Sequence, residues 1–106
     1  MEFKEIAEGA NKIESELGLN IDDVLNKLTQ ELGEFNDEIQ KIRGRYCKIK
    51  KENLEDAKGE LGDLIFNIIS VCNRIGINPN DLNIFAENTL EKFKQRKELY
   101  KKSLED

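Results

Sequence analysis

The sequence predicts an all-α protein built from four helices. Three observations carry that expectation. Apolar residues recur at helical spacing along almost the whole chain. No stretch shows the strict apolar–polar alternation of a half-buried strand. Glycine and Asn-Pro signals fall where helices would stop and start.

Each element follows in order. Phe3, Ile6, Ala10, Ile13 and Leu17 mark one apolar face of a first helix, from Phe3 to Leu17, and Gly18 lies where a helix end favours glycine. Asn20 offers an N-cap to the second helix, with Asp22 and Asp23 in the first turn, where the helix dipole favours acids. Its stripe is Val24, Leu25, Leu28, Leu32, Phe35, Ile39 and Ile42. The segment KIRGRYCKIKK, Lys41 to Lys51, breaks the pattern at Gly44 and reads as a connecting loop or frayed end. A third helix is expected from near Asn53, with Asp56 as the far end of a capping box, to about Ile75, closed by Gly76. Asn78-Pro79 opens the fourth, which carries Leu82, Phe85, Leu90, Phe93 and Leu99 and frays through KKSLED.

The bounds are those of one domain, residues 1–106, with one modest core. A formal net charge of −5 makes the chain a poor general binder of nucleic acid, which needs a basic footprint. The longest uncharged apolar stretch, Leu64 to Asn73, is too short to span a bilayer, and the N-terminus has no signal-peptide core. A cytoplasmic protein with no membrane and no nucleic-acid polymer as partner is the expectation. There is no histidine, and Cys47 and Cys72 form no close-spaced motif, which argues against structural zinc or a histidine base. Two reduced thiols are expected, Cys47 somewhat reactive among its lysines.

One recurrence stands out. ELGE, Glu31 to Glu34, sits in the second helix, and ELGD, Glu60 to Asp63, in the third. Acids three residues apart lie one turn apart on one helix face. In each helix that face borders the apolar stripe. If the helices pack side by side, four carboxylates converge at the core's edge, where they repel unless a cation sits among them. Hard oxygen ligands without His or Cys suit Mg²⁺ or Mn²⁺. Gly33 and Gly62 would let a partner helix or a ligand come close. With 22 acids in the chain, such pairs also arise as solvated faces. The glycine inside both pairs, and the apolar run after the second, favour convergence.

The order KLTQELGEFNDEI, GELGDLIFNIISVCNRIGINPNDL, EKFKQR resembles the MazG-like all-α nucleoside triphosphate pyrophosphohydrolases, whose signature is E-E-x-x-E, a spacer, E-x-x-D and a downstream K-F-x-x-R. The resemblance covers roughly Ile21 to Arg96. It implies a four-helix, bundle-like fold and Mg²⁺-dependent hydrolysis of NTPs or dNTPs to nucleoside monophosphate and pyrophosphate. It implies metal ligation by Glu31, Glu34, Glu60 and Asp63, and triphosphate contacts from Lys92 and Arg96, with Lys27 just ahead of the first motif. Gln30 stands where the family has its first Glu, Gly59 where a Glu often precedes E-x-x-D, and Leu90 where an Asn is common. Asn88, one turn before Lys92, is the candidate in that last role. Asn67, a turn beyond Asp63, reaches substrate or makes a polar contact between helices. Lys92 and Arg96, taken without the resemblance, read as a solvated helix face. The basic run Lys41 to Lys51 steers nucleotides or is a solvated loop.

The third helix is apolar nearly all round from Leu61 to Cys72. A chain this short covers such a helix best with another copy, so a homodimer or homotetramer with sites near the interface is expected; full cover within one chain is the other possibility. Two further classes stay open: a non-catalytic helical interaction module, and a narrow-substrate relative acting on dUTP or phosphoribosyl-ATP.

Overall fold

The computed structural model describes residues 1–45 and 53–105. Helix α1 spans Phe3–Glu16, α2 Ile21–Ile42, α3 Glu55–Arg74 and α4 Leu82–Glu105, with a 3-10 turn at Pro79–Asp81. No strand occurs among the described residues. The expected all-α, four-helix architecture is therefore present. No described helix is long and apolar enough to cross a membrane.

The helix ends follow their local chemistry. Asn20 and Asp23 cap α2 reciprocally: the Asp23 N–H donates to Asn20 Oδ1 and the Asn20 N–H to Asp23 Oδ2, both at 2.9 Å. Gly18 (φ 72°) and Gly76 (φ 90°) end α1 and α3 in the left-handed region, where glycine escapes the Cβ penalty. Two ends differ from expectation. The N-cap of α3 is Leu54, without a side-chain cap, and Asn53 instead accepts from the Glu55 N–H. Pro79 opens a 3-10 turn rather than α4 itself, with Asn78 accepting from the Asn80 N–H at 3.0 Å. Helix α4 continues to Glu105 instead of fraying.

Helix α3 is the centre. Both α1 and α2 pack on it, yet their own backbones do not come within 8 Å of each other. Ala57, Leu64 and Ile69 of α3, Val24 of α2, and Ala7 and Ala10 of α1 form the apolar core. The face that α1 buries is Ala7, Ala10 and Glu14, not the face marked by its large residues. Phe3, Ile13 and Leu17 are exposed. Two alanines let the α1 backbone come close to α3, and a polar cluster then fixes the register. Glu14 is 6% exposed. Both its carboxylate oxygens accept from Ser70 Oγ at 2.7 Å, and Arg74 Nη2 lies 2.9 Å from Oε1. Asn11 joins from the next turn, donating to Ser70 and accepting from Asn73. A buried carboxylate survives only when paired and hydrogen-bonded in this way.

Helix α4 stands apart. Of the described elements it packs on the 3-10 turn alone, and none of its residues is buried. Phe85, Leu90, Phe93 and Leu99 are all exposed. On α3, Leu61, Ile65 and Phe66 also remain exposed, so the chain does not fully cover its own central helix. The radius of gyration is 18.1 Å, against about 13 Å for a compact chain of this length.

Candidate metal centre

Helices α2 and α3 run antiparallel. Lys27 and Glu31 meet Asp63 and Asn67, while Glu34, one turn further along α2, meets Glu60, one turn earlier on α3. The two acid pairs therefore face each other, and carboxylate oxygens of Glu31, Glu60 and Asp63 come within 4.8 Å of one another. Glu31 is 4% exposed. Its Oε2, and that of Glu60, are buried without a hydrogen-bond partner. A buried carboxylate oxygen without a donor is costly, and a divalent cation would satisfy both. Donor type, convergence and the two orphaned oxygens all fit Mg²⁺ or Mn²⁺.

The electrostatics agree. Burial raises the Glu31 carboxyl above its ordinary value; a hydrogen bond with Glu34 and the charges of Glu34 and Asp63 add to this, while Lys27 opposes it. Burial likewise raises Glu60, helped by Glu34, Glu31 and Asp63. Glu34 moves the other way, because Gln30 donates Nε2–H to its Oε1 at 3.0 Å. Gln30 is thus a neutral brace for Glu34.

Lys27 holds the rim, its Nζ 3.6 Å from Glu31 Oε1. Asn67 is buried and donates from Nδ2 to the Asp63 carbonyl at 2.9 Å. With Phe66 they line a cavity of about 240 Å³ against Glu31 and Asp63. Gly33 and Gly62 are open: a Cβ on either meets nothing within 4 Å, so no close approach occurs there among the described residues.

The remaining expected residues lie elsewhere. Asn88, Lys92 and Arg96 are exposed on α4, which contacts neither α2 nor α3. The Arg96 guanidinium sits over the Phe93 ring at 5.4 Å. The chain alone does not bring them onto the acid cluster. Cys72 is a free thiol whose pKa burial raises, as suits an inert side chain. Cys47 and most of the basic run lie outside the described residues. The Glu14–Ser70–Arg74 cluster and the Gln30 brace were not anticipated. A Glu four residues beyond Ala10 and seven beyond Ala7, on one helix face, was the available signal for the first.

Fold and site together define an all-α protein with a carboxylate centre suited to a hard divalent cation. The MazG nucleotide pyrophosphohydrolase domain model matches residues 19–100, and the chain belongs to that family. No curated protein and no solved structure matches it.

Proposed function

We propose that this chain hydrolyses nucleoside triphosphates, ribo or deoxy, to a nucleoside monophosphate and pyrophosphate in a Mg²⁺- or Mn²⁺-dependent reaction. One observation carries it: three carboxylates from two helices converge beside a cavity rimmed by Lys27 and Asn67, with two buried oxygens left for an ion. Membership of the family supports the same chemistry.

Glu31, Glu60 and Asp63 would hold the ion, with Glu34 beside them kept ionised by Gln30. When bound, the ion supplies the charge that joins phosphate to an acidic protein and makes water more acidic. Lys27 meets phosphate at the rim, and Asn67, anchored on the Asp63 carbonyl, orients it. A water oxygen bonds to the α-phosphorus and gives up a proton to solvent, the bond from that phosphorus to the bridging oxygen breaks, and pyrophosphate leaves.

Lys92 and Arg96 enter this scheme through a second copy. Helix α4 has an exposed apolar face and no partner among α1 to α3. A homodimer or homotetramer would cover that face and the exposed side of α3, and would carry the basic pair to a neighbour's phosphates, where charge grows on the leaving group. Action in the cytoplasm is part of the same proposal. Pyrophosphate release from a panel of NTPs and dNTPs, with Mg²⁺ or with chelator, tests the reading. Metal-dependent release that Asp63→Asn abolishes supports it; no release from any triphosphate returns the chain to a helical interaction module.

A further inference from the structure

The gap between α1 and α2 opens onto the acid cluster. Because both helices rest on α3 with their backbones more than 8 Å apart, a cavity of about 420 Å³ remains over α3. Its apolar walls are Ile13 and Leu17 of α1, Leu19 of the connection, Val24 of α2 and Phe66 of α3. It shares Lys27, Phe66 and Asn67 with the cavity against Glu31 and Asp63. Two joined compartments of opposite character define their ligand. One suits phosphate and a cation; the other suits a flat, largely apolar group within a few bonds of that phosphate.

The polar groups of the second compartment narrow the choice. Apart from Lys27 at the seam, they are the carboxylates of Glu14 and Asp23 and the amide of Asn67. Glu14 is already paired with Ser70 and Arg74, so the acceptors that can meet a ligand are the carboxylate of Asp23, held by the α2 cap, and Oδ1 of Asn67, whose Nδ2 is turned to the Asp63 carbonyl. Such acceptors attract N–H donors and repel carbonyl oxygens. Adenine and cytosine present an amino group on the pairing edge. Uracil and thymine present two carbonyl oxygens flanking a single N–H.

We propose that the cleft between α1 and α2 is a nucleobase subsite that prefers adenine and cytosine to uracil and thymine. The inference rests on the reading that the acid cluster handles the phosphates of the same nucleotide.

The test is an amide chemical-shift titration of the protein in Mg²⁺ with AMP, CMP, UMP, dTMP and ribose 5-phosphate, run beside the pyrophosphate-release panel. AMP and CMP are expected to shift the amides of Ile13, Leu17 and Phe66 and to bind roughly tenfold more tightly than UMP and dTMP. Ribose 5-phosphate, which has no base, is expected to leave Ile13 and Leu17 unshifted. Ile13→Trp fills the cleft from a position 54% exposed, where folding is not at stake. It is expected to weaken AMP and CMP binding roughly tenfold. Shifts on α1 that are equal for UMP and CMP overturn the preference. No shift on α1 from any monophosphate, or an Ile13→Trp that binds like the parent, overturns the subsite. Pyrophosphate release without base-dependent shifts removes the subsite and leaves the hydrolase; base-dependent shifts without release do the reverse.

Discussion

Glu31 and Glu60 reach across the α2–α3 interface to bring carboxylate oxygens within 4.8 Å, and each keeps a buried Oε2 that no donor reaches. The fold thus holds two like charges together, with Lys27 beside Glu31 Oε1 at 3.6 Å as a partial counter-charge. A ligand that binds only the folded state adds RT ln(1 + [L]/Kd), about 2.7 kcal/mol at a hundredfold excess over Kd. Millimolar Mg²⁺ or Mn²⁺ is therefore expected to raise the melting temperature by several degrees, and that of Asp63→Asn much less. Thermal melts with chelator and with metal decide it. Equal responses in parent and variant would remove Asp63 from the ligand set.

The same pair gives the metal-free protein an unusual pH dependence. Glu31 and Glu60 are both raised above the ordinary 4.5 in the folded state. The folded protein therefore binds their protons more tightly than the unfolded chain does. Their contribution to stability is full below pH 4.5 and is lost as pH rises through the raised values. Glu34 has the opposite sign: its contribution is full above pH 4.5 and is lost only as pH falls through its lowered value, so it adds no slope above 4.5. In chelator, the parent is expected to lose more stability than Glu31→Gln between pH 4.5 and neutrality. Urea melts across that range check it; parallel profiles would mean that the two carboxyls titrate as they do in the unfolded chain.

The exposed basic pair tests assembly. Arg96→Ala is expected to lower turnover by about 3 kcal/mol in activation free energy, as for one lost transition-state donor. Because α4 contacts neither α2 nor α3, the loss should be complemented across chains. Mixing Arg96→Ala with Asp63→Asn after joint unfolding and refolding is expected to restore activity that neither shows alone. A mixture as inactive as its parts would put Lys92 and Arg96 back among solvated surface residues.

The α1–α3 clamp is a matter of stability. Arg74→Ala leaves the Glu14 carboxylate buried and without its ion pair. Breaking one partner of a buried pair costs about 3–5 kcal/mol. A loss below about 1 kcal/mol in urea unfolding would mean that water reaches Glu14 as it would at an exposed pair.

How much of this was legible in the residues depends on range. The span of α2, the Asn20 cap and the glycine stops were readable because each rests on neighbours in sequence. The meeting of ELGE with ELGD was readable because two acid turns on two amphipathic helices leave few antiparallel registers. The packed face of α1 was legible only in part: Ala10 belongs to the expected stripe, but periodicity weights large apolar side chains, whereas this interface adds Ala7 and a buried glutamate. What makes Glu14 tolerable is Arg74, 60 residues away, and no local pattern announces a pairing of that reach. The isolation of α4 was equally hidden, because an amphipathic stripe shows that a face wants cover but not which chain supplies it.

Gly33 and Gly62 give the acid turns a further meaning. Neither is crowded, and neither has a backbone angle that excludes a side chain. Alanine at an open helical glycine adds about 1 kcal/mol each. The chain thus forgoes stability in the very turns that carry its acids, without any steric return inside one molecule. Selection for rigidity alone would have removed both glycines. The double alanine variant is expected to melt higher than the parent. If the acid turns must breathe to let pyrophosphate go, it should also turn over more slowly, a trade visible as a higher Tm beside a lower kcat; a gain in both would mean that the softness of these turns serves nothing in the catalytic cycle.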